Sequence, residues 1–237
     1  MLKAILFDFN GVIINDENIH QELIDEILLS ENLRPSAAEY PELCLGRSDR
    51  ACLENILSRR GRVSSDDYLK KLINKKAKSY RQRLQQLETL PIYPEITDFI
   101  RQIQEQRLRL GVVTGCVRSE AEFVLERAGI APYFEVLVAG DDIKASKPKP
   151  DGYLLAVERF NCLDCNLQLT PANCLAIEDT PAGIQAAKTA GMQVVGIANT
   201  YPLHFMQRLA NWAIDRLSDL ELERIANAFA SAPGGSR

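Results

Sequence analysis

Leu2, Ala4, Ile5, Leu6 and Phe7 crowd the start of the chain, broken only by Lys3, and Asp8 ends the run. A short apolar run of this kind, closed at once by Asn10-Gly11, predicts a buried strand that leads into a turn and exposes its last side chain. From about Asn15 to Thr89 the spacing changes. Ile19, Leu23, Ile24, Ile27 and Leu28 recur with the period of a helix, as do Cys52, Leu53, Ile56 and Leu57, then Tyr68, Leu69, Leu72 and Ile73. Arg34-Pro35-Ser36 and the polar stretch 60–65 separate these patterns, and Ser65-Asp66-Asp67 predicts a capped helix start. The stretch reads as an all-helical insert with no strand inside it.

After Thr89 strands and helices alternate. Helices are predicted over 94–106, 119–128, 152–160 and 181–190; strands over 108–114, 134–138, 174–177 and 193–197, with a short last strand at 212–214. That alternation predicts an α/β fold: a Rossmann-like, mostly parallel sheet with helices on both faces. The sheet domain is then discontinuous, residues 1–15 and 89–237, with 16–88 inserted as a helical cap domain beside Asp8 and 232–237 as a flexible tail. A cap placed there is suited to act as a lid.

Composition narrows the function. The 237 residues are 46% hydrophobic and 25% charged, as in an ordinary folded enzyme, and the net charge of −4 argues against a nucleic-acid partner. No apolar run approaches the ~20 residues of a membrane span. The chain starts directly on the predicted strand, so the expected location is cytoplasmic and the expected state a monomer or weak dimer. The six cysteines are accordingly expected as thiols, mostly buried. Cys162 and Cys165 have the spacing of half a zinc site, but no second Cys/His pair completes it.

Ligands of open α/β sheets bind outside the carboxyl ends of the strands. Those ends here deliver Asp8 and Asn10, then Thr114 and Gly115, then Glu178 and Asp179, with Lys147 on a loop after the 134–138 strand. Carboxylates that converge at one edge can hold Mg²⁺, and Thr114, backbone N–H groups and Lys147 can hold phosphoryl oxygens. Each element alone has an ordinary reading as a cap, a turn or a surface charge; their joint placement points to phosphoryl transfer.

Phe7-Asp8-Phe9-Asn10-Gly11-Val12, Val113-Thr114-Gly115, Ser146-Lys147-Pro148-Lys149-Pro150 and Ile177-Glu178-Asp179-Thr180-Pro181-Ala182-Gly183 resemble, in order, the four motifs of the haloacid dehalogenase-like hydrolases. The helical insert is similar to the cap of the β-phosphoglucomutase and phosphoglycolate phosphatase subgroup. The resemblance implies that Asp8 attacks phosphorus to form an aspartyl-phosphate. It also implies that Asp8, the Asn10 carbonyl, Glu178 and Asp179 hold Mg²⁺, while Thr114 and Lys147 hold the transferred group of a small phosphorylated metabolite.

One position departs from the pattern. Asn10 stands where the family's phosphatases carry the aspartate that protonates the leaving group and activates water. An amide does neither, and general acid–base help is typically worth ~10²–10⁴-fold. His20, at a position matching a cap histidine of the phosphoglucomutases, is a candidate substitute, against the plain reading of a surface helix residue. Gly46, Arg47 and Arg50 on the cap loop, and Lys76 on a cap helix, are candidate substrate contacts; most other cations near Lys76 read as a solvated helix face. Three alternatives stand beside a phosphatase: a sugar phosphomutase, a pseudo-enzyme that binds a phosphorylated ligand with little turnover, and a metal-independent dehalogenase.

Overall fold

In the computed structural model, which describes residues 1–231, β1 (Ala4–Phe7) is buried over its whole length at the centre of a six-stranded parallel sheet. Ile5 and Phe7 project into one apolar layer and Ala4 and Leu6 into the other, so a continuous hydrophobic run is what a strand covered on both faces requires. The other strands are β2 (Arg109–Val113), β3 (Val136–Val138), β4 (Cys174–Glu178), β5 (Gln193–Ile197) and β6 (Trp212–Ile214), in the order β3-β2-β1-β4-β5-β6. The chain leaves β1 toward β2 on one side, while β4 begins the other half. β1 and β4 therefore flank the switch point where a crevice opens at the carboxyl ends.

Residues 17–86 contain only helices: α1 (Glu17–Ser30), α2 (Glu39–Leu43), α3 (Asp49–Arg59) and α4 (Asp66–Gln86). They share an apolar cluster that includes Ile24, Ile27, Leu53, Ile56, Leu69 and Leu72. Ser48 and Ser65 cap α3 and α4, each accepting a backbone N–H in the first turn. Entry to and exit from the insert run side by side. Asn15 N donates to Pro91 O at 2.8 Å and Tyr93 N to Ile13 O at 3.0 Å.

The core helices are α5 (Ile96–Glu105), α6 (Arg118–Arg127), α7 (Asp151–Leu163), α8 (Pro181–Thr189), α9 (Leu203–Leu209) and α10 (Leu222–Ser231). The sequence reading assigned nothing to α9 or α10. Leu222, Ile225 and Phe229 do recur at helical spacing and are buried, whereas α9 buries only Met206 and offers little periodic signal. The tail expected at 232–237 lies outside the described residues. No helix among those described is long and apolar enough to cross a membrane.

The cysteine expectation needs correction. Cys44 and Cys52 are joined in a disulfide, because the turn between α2 and α3 brings their Cα atoms to 4.3 Å. Of the remaining thiols Cys116 and Cys174 are buried, but Cys162 and Cys165 are exposed.

Candidate active site

Asp8 follows β1 directly, and its N–H donates to Ile177 O on β4 at 2.9 Å, which fixes the strand end in the sheet. Its Oδ1 accepts from Phe9 N at 2.7 Å and pairs with Lys147 Nζ at 2.8 Å. Gly11 turns the chain away at φ +75°, and a Cβ there would stand 1.9 Å from Asp179 Oδ2, so only glycine fits. Asn199 Nδ2 holds that turn through Gly11 O at 2.7 Å, and the neighbouring Thr200 hydroxyl donates to Asp179 Oδ2.

Glu178 ends β4 and Asp179 follows it, both wholly buried. Lys147 Nζ reaches Glu178 Oε1 at 2.7 Å, and the Tyr153 hydroxyl donates to the same oxygen. Oxygens of Asp8, Glu178 and Asp179 lie within 4.8 Å of one another. Burial, with the Asp8 charge added, pushes both the Glu178 and the Asp179 carboxyl well above the usual range. Burial works against the Lys147 ammonium, yet Asp8 and Glu178 outweigh it and hold that group above its ordinary range. Glu178 Oε2 and Asp179 Oδ1 are buried with no hydrogen-bond partner among the described residues. Such oxygens are costly unless a cation meets them, and an all-carboxylate donor set suits hard Mg²⁺.

A second cluster surrounds Asn10. Its Nδ2 donates to Asp16 Oδ1 and Oδ2 at 3.0 and 3.1 Å and lies 2.9 Å from His20 Nε2, which in turn lies 3.1 Å from Asp16 Oδ2. The Tyr80 hydroxyl donates to Asp16 as well, and the Tyr80 ring stacks on His20 at 4.7 Å. Burial raises the Asp16 carboxyl, but His20 and the hydrogen bonds from His20, Asn10 and Tyr80 bring it below the usual range. For His20, burial and Lys76 act downward, and Asp16 overcomes them to raise the imidazole. Protonated, Nε2 has Asp16 to donate to; unprotonated, it can accept from the Asn10 amide. Both states have a partner.

Lys76 is also buried, paired with Asp49 Oδ1 at 2.7 Å on the insert and Glu120 Oε2 at 3.2 Å on α6 of the core. Burial raises the Glu120 carboxyl to about 7, against the pull of Lys76. A carboxyl raised in the folded state contributes stability that is present below its unfolded value and lost as pH rises through the folded one. The thermal midpoint is therefore expected to fall between pH 4.5 and 7, and Glu120→Gln to flatten that slope. An unchanged slope in the variant would assign the effect to the other raised carboxyls, among them Glu17, Glu178 and Asp179.

Asp8, Asn10, Lys147, Gly115, His20, Gly46 and Arg47 all line one enclosed cleft of about 30 Å³ between insert and core. Thr114 is buried beside it, and its hydroxyl donates to Cys116 Sγ at 3.2 Å. Two expected substrate contacts are placed differently. Arg50 pairs with Asp66 at 2.9 Å and lines a neighbouring pocket, and Lys76 is committed to its two carboxylates while Lys70, Lys71, Lys75 and Lys78 on the same helix are exposed. The insert is seated on the core through Ser48 N to Ser146 Oγ at 2.6 Å, Asp49 N to Gly115 O at 3.3 Å, and Gly46, whose φ of +72° sets it against Thr180.

Asp16, Tyr80, Tyr153, Glu120, Asp49 and Thr200 escaped the sequence reading. Asp16 had a signal: it stands one helical turn before His20. A carboxylate at a helix start reads by default as a cap, a bond Asp16 does not make.

Residues 5–197 match the sequence profile described as haloacid dehalogenase-like hydrolase. The chain is 29% identical over 224 residues to the β-phosphoglucomutase of Bacillus subtilis, covering 94% of this chain and 93% of that one. It is 26% identical over 200 residues to the phosphorylated carbohydrates phosphatase of Thermotoga maritima, covering 84% and 87%. The crystal structure of β-phosphoglucomutase from Clostridium difficile superposes with a TM-score of 0.82 at 23% identity, over 97% of this chain and 98% of that one, a likeness of fold.

Proposed function

The chain belongs to the haloacid dehalogenase-like hydrolases, and from that membership we propose a Mg²⁺-dependent phosphoryl-transfer enzyme that hydrolyses a small phosphorylated carbohydrate through Asp8. The observation that carries this reading is the buried set of Asp8, Glu178 and Asp179, with two oxygens that meet no donor among the described residues, and Lys147 between Asp8 and Glu178. The phosphatase and mutase names of the relatives support the substrate class.

An Asp8 carboxylate oxygen forms a bond to phosphorus as the bond to the leaving alkoxide breaks; water then attacks the acyl phosphate and frees inorganic phosphate. Lys147 neutralises phosphoryl oxygens, and Thr114 and the Gly115 backbone fix their place. Mg²⁺, when held by Asp8, Glu178, Asp179 and the Asn10 carbonyl, supplies the charge that lets two anions meet. The leaving alkoxide needs a proton that Asn10 cannot give. His20 Nε2, positioned by Asp16 and Tyr80, is the group we assign to deliver it and to take a proton from the attacking water.

Chelation is expected to abolish phosphate release from sugar phosphates, and Mg²⁺ to restore it. Mg²⁺ is also expected to raise the thermal midpoint of the native protein, because a cation in the carboxylate cluster binds only the folded chain. Release that survives chelation, with no midpoint shift on adding Mg²⁺, would overturn the metal assignment. Asn10 favours a second reading, a protein that binds a phosphorylated ligand with little turnover; it predicts the midpoint shift without the release.

A further inference from the structure

Around the cleft, positive and negative side chains are divided unevenly between core and insert. On the core side Lys147 and the carboxylate set provide for one phosphoryl group. The insert side carries Glu17, Asp49, Tyr40 and Ile24, with Arg47 and, when protonated, His20 as its cationic groups. The Tyr40 hydroxyl donates to Glu17 Oε2 at 2.8 Å, leaving Oε1 as an acceptor. Asp49 Oδ1 takes the Lys76 ammonium at 2.7 Å, while its Oδ2 is buried with no partner among the described residues. Lys76 would be the natural second cation, but Glu120 holds it from the other side at 3.2 Å. Freeing it would break two buried ion pairs and strand their carboxylates, which is costly.

From this division we infer that the cleft selects a monophosphate whose far end is uncharged and bears hydroxyl groups, and rejects a second phosphate there. The inference rests on the phosphoryl chemistry proposed for Asp8. Carboxylate oxygens without donors are satisfied by O–H groups, and a second phosphate brought beside Glu17 and Asp49 would meet like charge with Arg47 to offset it, the His20 imidazole being held by Asp16. Ile24 and the Cys44–Cys52 sulfurs offer apolar contact for the C–H faces of a sugar or polyol. The cleft's inner space of about 30 Å³ holds a water and no sugar, so we take a sugar to enter as the insert lifts from Ser146 and Gly115.

The test is phosphate release, with Mg²⁺, from paired hexose and pentose monophosphates and bisphosphates and from an aryl phosphate, in the native protein and in Asp49→Asn and Arg47→Gln. The native kcat/KM is expected to favour monophosphates by at least about tenfold. Asp49→Asn is expected to narrow that ratio, chiefly through a higher KM for the monophosphate, and Arg47→Gln to leave the preference in place. A native preference for bisphosphates would overturn the inference, as would an unchanged ratio in Asp49→Asn. If no substrate is turned over, the aryl phosphate included, the phosphoryl-transfer reading fails separately. The selectivity is then read by calorimetric titration of the native protein, with Mg²⁺ present, with each paired ligand. Equal or tighter binding of the bisphosphate overturns the inference there too. Circular dichroism of each variant separates lost contacts from lost folding.

Discussion

Asp8→Ala is expected to abolish Mg²⁺-dependent phosphate release, a fall of about 10⁴-fold or more, as removal of a covalent nucleophile does elsewhere. The same substitution is expected not to lower the thermal midpoint of the metal-free protein. Asp8, Glu178 and Asp179 repel one another in a buried site with a single ammonium among them, and the Asp8 charge helps to raise the Glu178 and Asp179 carboxyls. Deleting Asp8 leaves Lys147 paired with Glu178 at 2.7 Å and removes that repulsion. A chain that is inactive yet as stable as the native one would mark Asp8 as kept for chemistry at the expense of the fold. Residual turnover within tenfold of native would exclude Asp8 as the nucleophile. A midpoint several degrees lower would show that its bond to Lys147 outweighs the repulsion.

Asn10→Asp should produce the opposite pair of effects. A carboxyl at this position stands about 3 Å from both Asp16 oxygens, the distances now spanned by the amide. Two carboxylates so close cannot both ionise, so the pair retains a proton near the leaving group. Turnover of sugar phosphates, whose alkoxides leave poorly, is expected to rise by about 10²-fold, and turnover of an aryl phosphate to change little. The buried like-charge pair is expected to lower the thermal midpoint, more steeply as pH rises, because ionising the second carboxyl is what burial and its neighbour resist. Steady-state kinetics on the two substrates, with a melting curve at pH 6 and pH 8, read both. A variant no faster on sugar phosphates would mean that His20 and Asp16 already supply the proton in full.

How far the sequence reached differs between sheet, insert and site. The sheet was legible almost to the residue. Its strands are continuous apolar runs, closed by Asn10-Gly11, Gly115 and the Thr180-Pro181 helix start, and both faces are covered so no alternation blurs them. α10 was readable from Leu222, Ile225 and Phe229 but went unread, while α9 gave little to read. The Cys44–Cys52 bond leaves no mark in cysteine count or spacing, because pairing depends on which turn brings two sulfurs together. In the site, residues at strand ends announced themselves. Residues that act through them did not: Asp16, Tyr80 and Glu120 lie on helices where a charge or a hydroxyl is ordinary, and only the three-dimensional approach of α1, α4 and α6 gives them partners. Lys76 shows this most clearly, since one helix carries it into a buried triad and its neighbours Lys75 and Lys78 into solvent.

The disulfide lies in the insert, with its two cysteines eight positions apart, and the turn it closes carries Gly46, Arg47, Ser48 and Asp49. A covalent ring cannot unravel when the insert lifts away from the core. The surface that faces the substrate's far end therefore keeps its shape in the open protein, where the substrate first meets it. If the insert swings on its two connections, which pair at Asn15 and Tyr93, this turn would move as a cassette, separate from the strand ends that carry Asp8 and Glu178. Residues 45–51 can then be exchanged as one unit to retarget the enzyme while Asp8, Lys147 and Asp179 stay as they are.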